Sequence, residues 1–239
     1  RSDLRSMSAG PGRPIDGAAR RCPRHRPHGD RPTPTRWSVA RGVVPVAESS
    51  GPADAVLMSE RALVQLATRQ HGLVTTQQAA QLGFDRGSVT SAVAKGRWRR
   101  AGIGVLALGA TPATLHQRTL AAVLSIGEAW ASHSTAARVW GWEVRHARVE
   151  VIVPGGRKVE RRNVRVHRST RLDPEDVAIV GGIPVTSPAR TLIDLSGRIT
   201  VDELATCLDT ALRRRQATID AVDAMVIATQ ATYGRRPRV

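Results

Sequence analysis

The most informative stretch of the chain runs from Thr75 to Leu108, where apolar and polar positions are spaced as in two short helices followed by a β-hairpin. Thr75 and Gln78 form a capping box, in which each side chain accepts a hydrogen bond from a free backbone N–H at the start of a helix. Two alanines and a leucine give this helix a small apolar face. Gly83 follows it, as glycine commonly does after the end of a helix.

A second helix is predicted over residues 86–95, capped by Asp85 and ended by Gly96. Val89 and Val93 are four residues apart and therefore face inward together. The outer faces are left polar, which is typical of a recognition helix that places short side chains near base edges in the major groove.

Basic residues follow the second helix, and then comes an apolar run with glycines that allow a tight turn. We interpret this part as a wing whose arginines neutralise nearby backbone phosphates. The predicted DNA-binding residues of the helix and wing are Arg86, Ser88, Thr90, Ser91, Lys95, Arg97, Arg99 and Arg100.

Upstream, an apolar stripe predicts a first helix over residues 59–71 with Ser59 as its N-cap, which completes a winged helix-turn-helix domain at residues 58–110. Residues 1–57 are rich in Arg, Pro and Gly without hydrophobic periodicity, so we expect them to be disordered. They are either a basic arm that grips DNA or a non-native segment. We favour the second interpretation, because Met58 stands directly before the first predicted helix.

Residues 111–215 have the pattern of a small α+β domain, and residues 216–239 that of a C-terminal helix with a basic tail. A helix is expected to open at Thr111 and Pro112. The fold class predicted for the whole chain is therefore α+β. The further predicted helices cover residues 134–140, 189–195, 201–214 and 219–228, and the predicted strands cover 149–153, 164–167, 177–180 and 183–185.

The charge of the chain supports a polyanionic partner. Lys and Arg number 36 against 20 Asp and Glu, which gives a formal charge of +16. Cys22 and Cys207 are too far apart in sequence to form a C-x-x-C metal or redox motif, and they fit a reducing cytoplasm. The sequence contains no apolar run of the length that a membrane helix requires, about 18–20 residues.

Two stretches of the chain together resemble one known family. LVQLATRQHGLVTTQQAAQLGFDRGSVTSAVAKGRWRRAGIGVLAL is similar to the N-terminal winged helix of AbiEi-type antitoxin-domain proteins of actinobacteria. The stretch VHRSTRLDPEDVAIVGGIPVTSPARTLIDLS resembles the second domain of that group, and its GIPVTSPARTLIDL core is the more specific part. The resemblance covers residues 59–215.

This resemblance implies a transcriptional regulator or antitoxin of a type IV toxin–antitoxin system. Such an antitoxin opposes a nucleotidyltransferase-type toxin without forming a direct complex with it, and represses its own operon by binding double-stranded operator DNA. Many relatives also carry a C-terminal Vsr-like endonuclease domain, which would begin where this chain ends, at Val239. Two alternatives stay open: a truncated member of the endonuclease family without its catalytic domain, and a winged helix that binds another protein.

The sequence does not predict an enzyme, a cofactor site or a metal site. Nucleases of that class place a carboxylate two residues before a lysine, and Val93 and Gly156 stand at those positions here. We expect the histidines, including His133 and His167, to be structural or solvent-facing. The polar residues of TSPARTLIDL are interpreted as the start of a helix, with Asp194 holding Arg190 at i, i+4.

Overall fold

The computed structural model describes residues 52–109, 113–145, 148–156 and 158–233, and the described part is an α+β fold. The predictions made for residues 1–51, for the basic tail and for Thr111 and Pro112 lie outside these ranges. Among the described helices, none is both long and apolar enough to cross a membrane.

The first part is the expected winged helix-turn-helix. Its sheet contains one strand more than the predicted hairpin, in the antiparallel order β1-β3-β2. Its elements are α1 (Pro52–Arg69), β1 (Leu73–Thr75), α2 (Thr76–Gln81), α3 (Arg86–Ala94), β2 (Trp98–Gly102) and β3 (Val105–Leu108).

The start of α1 corrects the expectation that the chain is disordered up to residue 57 and that Ser59 caps the first helix. The helix begins at Pro52, so residues 52–57 belong to it. The physical reason lies in the segment PADAVLM, since proline is well tolerated in a first helical turn and alanine, leucine and methionine are good helix formers.

The second part, in its described residues, is a mixed five-stranded sheet with five α-helices and a 3₁₀ helix at Pro174–Asp176, in the strand order β6-β5-β4-β8-β7. The pairs β5–β6 and β4–β8 are parallel, while β4–β5 and β7–β8 are antiparallel. Its elements are α4 (Leu115–Ile126), β4 (Trp130–Ala131), α5 (His133–Val139), β5 (Val149–Pro154), β6 (Val164–Ser169), β7 (Val177–Val180), β8 (Ile183–Thr186), α6 (Pro188–Leu195), α7 (Val201–Arg213) and α8 (Ile219–Tyr233).

Three predictions about these elements are corrected. The helix α4 begins at Leu115, and Thr114 caps it, because the Thr114 side chain accepts a hydrogen bond from the backbone N–H of Gln117 at 3.1 Å. The last helix continues to Tyr233, five residues beyond the predicted end. The strands β1 and β4 were not predicted, since segments of three and two residues are too short to show a period of two.

The two parts share a hydrophobic core through the small sheet. Successive residues of β3 point to opposite faces, so Leu106 packs under the helices of the winged helix while its neighbours pack toward α4 and the large sheet. The hydrophobic cluster between β3, α4 and the large sheet therefore joins residues from both parts of the chain. Its members include Leu73, Val105, Ala107, Leu120, Ala121, Ile183 and Val185.

Candidate functional site

The recognition helix α3 begins as its sequence predicts. The Asp85 carboxylate accepts a hydrogen bond from the backbone N–H of Ser88 at 2.7 Å, and the bonds from Ser88 lower the pKa of Asp85. The capping box of α2 is also present, with Gln78 N–H donating to the Thr75 hydroxyl at 3.1 Å and Thr75 N–H donating to the Gln78 amide oxygen at 2.8 Å. Both helix starts are thus fixed by local hydrogen bonds.

Most of the predicted DNA-binding side chains are exposed. Val89 and Ala92 are buried against the winged-helix core, and this leaves the polar positions of α3 accessible to solvent. Ser91 is half-buried. We call the exposed set the recognition surface, and its members are Arg86, Ser88, Thr90, Lys95, Arg97 and Arg100.

Arg99 does not belong to the recognition surface, because successive residues of β2 alternate between the two faces of the sheet. Trp98 packs in the winged-helix core with its ring edge on Phe84, 5.4 Å between centroids, and Arg100 shares that face. Arg99 lies on the other face and donates a hydrogen bond to the amide oxygen of Gln117 on α4. Arg99 therefore lies in a different environment from the other two wing arginines.

The wing sits close to α4. Its turn consists of Ile103 and Gly104, and Gly104 has a φ of +67°, which favours glycine. A side chain at Gly102 would place its Cβ 3.2 Å from the Cβ of Ser125 on α4. The absence of a side chain at Gly102 therefore allows the hairpin to approach the second part of the chain.

A separate polar cluster, which the sequence did not predict, lies between α5 and the large sheet. The rings of His133 and His167 stack with centroids 3.7 Å apart at an interplanar angle of 19°. The Nε2 atom of His167 lies 3.6 Å from Oε1 of Glu150, and Glu150 Oε2 accepts hydrogen bonds from the backbone N–H and the hydroxyl of Ser134 at 3.1 and 2.8 Å. Three potential metal ligands are thus gathered in one place.

The environment of this cluster shifts two of its pKa values strongly. Burial and the neighbouring His167 lower the pKa of His133 to about 3, so its imidazole is neutral at physiological pH. Burial alone would raise the pKa of Glu150, but interactions with His167 and the hydrogen bonds from Ser134 outweigh it and lower this pKa to about 2. Glu150 is therefore a carboxylate in the same cluster as the neutral imidazole of His133.

Next to the cluster, α6 carries the predicted ion pair. Arg190 Nε donates a hydrogen bond to Asp194 Oδ1 at 2.9 Å, four residues along the helix. The Nη1 atom of Arg190 lies 3.4 Å from Asp176 Oδ2. Burial is the main cause that raises the pKa values of both Asp176 and Asp194, and it is opposed by the charge of Arg190. These groups line a cleft of about 680 Å³ that also includes His133 and Ser187.

The two histidines were expected to be structural or solvent-facing, because the histidines of the sequence are scattered among predicted helices and strands. The tertiary structure brings them together, since His133 opens α5 immediately after β4, while His167 pairs in parallel register with Ile152 of β5. Glu150 lies two residues before Ile152 on the same strand, and therefore on the same face of the sheet. The available sequence signal was only Glu150 within the otherwise apolar strand β5, since β6 contains several polar residues besides His167.

Comparisons with known families identify both parts of the chain. Residues 61–109 match the family model described as "Transcriptional regulator, AbiEi antitoxin". Residues 121–236 match the model described as "AbiEi antitoxin C-terminal domain". No curated protein matches the chain.

Among solved structures, the crystal structure of the RV2827C protein from Mycobacterium tuberculosis is similar in fold, with a TM-score of 0.50 and 15% sequence identity over 76% of this chain and 72% of that one. At this identity the similarity concerns the fold alone. The family assignment rests on the two adjacent matches, which have the same order as the winged helix and the α+β part. The chain belongs to the AbiEi antitoxin family.

Proposed function

We propose that this protein is a sequence-specific DNA-binding antitoxin that represses its own operon. Its AbiEi domains support an antitoxin or regulator role. The observation that carries the DNA-binding part is the recognition surface, which combines the start of an exposed helix with cations at the adjoining wing. In winged helices of this geometry the start of the recognition helix reads base edges.

The charge around the recognition surface strengthens this proposal. The sequence contains no acidic residue between Asp85 and Glu128, and the Asp85 carboxylate is used in capping α3. Lys95, Arg97 and Arg100 therefore present positive charge without a nearby carboxylate in sequence. A surface that binds another protein through an apolar patch would have a different composition.

We further propose that the antitoxin belongs to a type IV system and opposes a nucleotidyltransferase-type toxin without a direct complex. The family membership supports this pairing. The test of self-repression is a reporter gene placed behind the DNA upstream of the antitoxin's own gene. We expect expression of the protein to lower reporter output, and unchanged output would contradict the proposal.

Arg86→Ala is expected to weaken binding to the operator by about 1–3 kcal/mol and to change binding to a scrambled duplex little, because a lost base contact removes discrimination. Fluorescence anisotropy titrations on both duplexes measure the difference. Arg213→Ala is the matched control, since Arg213 is an exposed arginine on α7, outside the recognition surface. Equal losses on both duplexes for Arg86→Ala would refute base reading by this residue.

Arg100→Ala and Arg99→Ala are expected to differ although they are neighbours. Loss of one phosphate contact at Arg100 should reduce the slope of log K against log salt by about 0.9, on operator and scrambled DNA alike. Arg99 is bonded to Gln117, so its replacement should leave the slope unchanged. Salt titrations of the two variants test this, and a smaller slope for Arg99→Ala alone would reverse the assignment.

A further inference from the structure

We propose that His133, Glu150 and His167 form a binding site for a divalent transition-metal ion of the zinc type. One ligand atom from each residue lies within 4.8 Å of the others. Two imidazole nitrogens and one carboxylate oxygen form the protein donor set of several zinc enzymes, in which water or substrate takes the remaining position. The site lies apart from the recognition surface, so the inference does not depend on DNA binding.

The Nε2 atom of His167 supports this assignment most directly. It is buried and has no hydrogen-bond partner among the described residues. Its 3.6 Å separation from Glu150 Oε1 is too long for a hydrogen bond, yet close to the roughly 3.4 Å expected between two ligands of a tetrahedral ion. An unpaired buried nitrogen is unfavourable, and coordination of an ion would satisfy its lone pair.

Neighbouring polar groups contact the other two ligands. Ser134 binds Oε2 of Glu150, and the other oxygen, Oε1, lies between His167 Nε2 at 3.6 Å and Arg165 Nη1 at 3.4 Å. The Nδ1 atom of His133 lies 3.0 Å from the hydroxyl of Ser132, so its Nε2 atom is left for coordination. Metal-ligating histidines and carboxylates are commonly oriented by such outer contacts.

The backbone of His133 is in the left-handed region, with a φ of 51°, which is uncommon for a residue other than glycine. Its ring stacks on that of His167. Because the in-plane lone pairs of stacked rings run nearly parallel, binding of an ion requires the His133 ring to tilt by rotation about its side-chain bonds.

The surrounding charges permit a cation. Arg165 is the basic partner of Glu150 at 3.4 Å, but its side chain is 55% exposed, so solvent screens this pair. The charge of Arg190 is matched by Asp176 and Asp194. Since His133 lines the cleft beside Arg190, we expect the remaining coordination position to face the cleft rather than the core.

The first test uses the purified full chain after treatment with chelator. We expect calorimetric titration with Zn²⁺ to show saturable binding, and Co²⁺ in its place to give the visible absorption of a four- or five-coordinate site with nitrogen and oxygen ligands. These measurements need no variant. Absence of saturable Zn²⁺ binding would overturn the proposal.

The second test assigns the binding to residues. His167→Ala and Glu150→Gln should each lower Zn²⁺ affinity by at least about tenfold, since even outer-shell changes have effects of about 10–100-fold. The matched control is His116→Ala, which alters the other close histidine pair, 5.6 Å from His71. A double variant of His25 and His28 controls for binding by the N-terminal segment.

Each outcome of the second test is decisive. Unchanged affinity in both site variants, or loss of affinity only in the His25/His28 variant, would overturn the proposal. If circular dichroism shows that His167→Ala does not fold, the Zn²⁺ affinity of Glu150→Gln and the Co²⁺ spectrum of the unaltered chain test the proposal instead. The DNA affinity of Glu150→Gln should equal that of the unaltered chain, which separates this inference from the proposed function.

Discussion

Arg190→Met is expected to lower the free energy of unfolding by about 3–5 kcal/mol, because it leaves buried carboxylates without their cation. The Arg190 side chain is 12% exposed, and those of Asp176 and Asp194 are 6% and 9% exposed. Methionine retains most of the volume and apolar contact of the arginine stem, so the loss reports the charge rather than a cavity. Urea denaturation followed by circular dichroism measures the change.

The chain provides a matched control for this prediction. Asp209 and Arg213 form another i, i+4 pair, with N–O distance 3.0 Å, but both side chains are about two-thirds exposed. Arg213→Met should therefore change stability by no more than about 0.5 kcal/mol. Equal effects of the two substitutions on the free energy of unfolding would show that burial does not determine how much the Arg190 ion pairs contribute to stability.

Local hydrogen bonds explain which parts of the fold were predictable. The Thr75–Gln78 box, the Asp85 cap and the Arg190–Asp194 pair each join residues three or four positions apart, and each is present in the structure. At this distance the helix itself determines the geometry, so sequence spacing is enough to predict the contact. The same logic placed the start of α4 too early, because Thr114 offers an equivalent cap and the described helix begins at Leu115.

Contacts between distant residues were not predictable in this way. Arg99 was assigned to phosphates because of its charge, but which face of β2 it occupies follows from the core position of Trp98. Its partner, Gln117, also donates to the carbonyl of His71 at 2.7 Å, which joins α4 to the end of α1. Neither contact leaves a pattern in the sequence, since each depends on how two elements pack.

The same limit applies to the polar cluster at the large sheet. His167 and Glu150 come together only through the parallel register of β5 and β6, and the sequences of the two strands do not reveal that register. His133 joins them from the start of a seven-residue helix. Each residue alone is an ordinary polar position, and only their combination suggests a ligand site.

The shared core of the small sheet leads to the last prediction. Leu106→Ala should lower the free energy of unfolding by about 2–5 kcal/mol, because the side chain is fully buried beneath the helices of the winged helix. The adjacent Val105 and Ala107 belong to the cluster shared with α4. Unfolding of the winged helix would therefore expose part of the core of the second part, and we expect a single transition by both circular dichroism and tryptophan fluorescence.

Ile103→Ala is the control for the Leu106 variant, since Ile103 is an aliphatic residue of the same hairpin that is 69% exposed at the turn. Its effect on the free energy of unfolding should stay within about 0.5 kcal/mol.

DNA binding gives a second measurement for Leu106→Ala. At temperatures where this variant remains folded, its slope of log K against log salt should match that of the unaltered chain, because the phosphate-contacting side chains are intact. Two separate transitions would contradict the shared core. A reduced slope would mean that Leu106 also determines the position of the recognition surface.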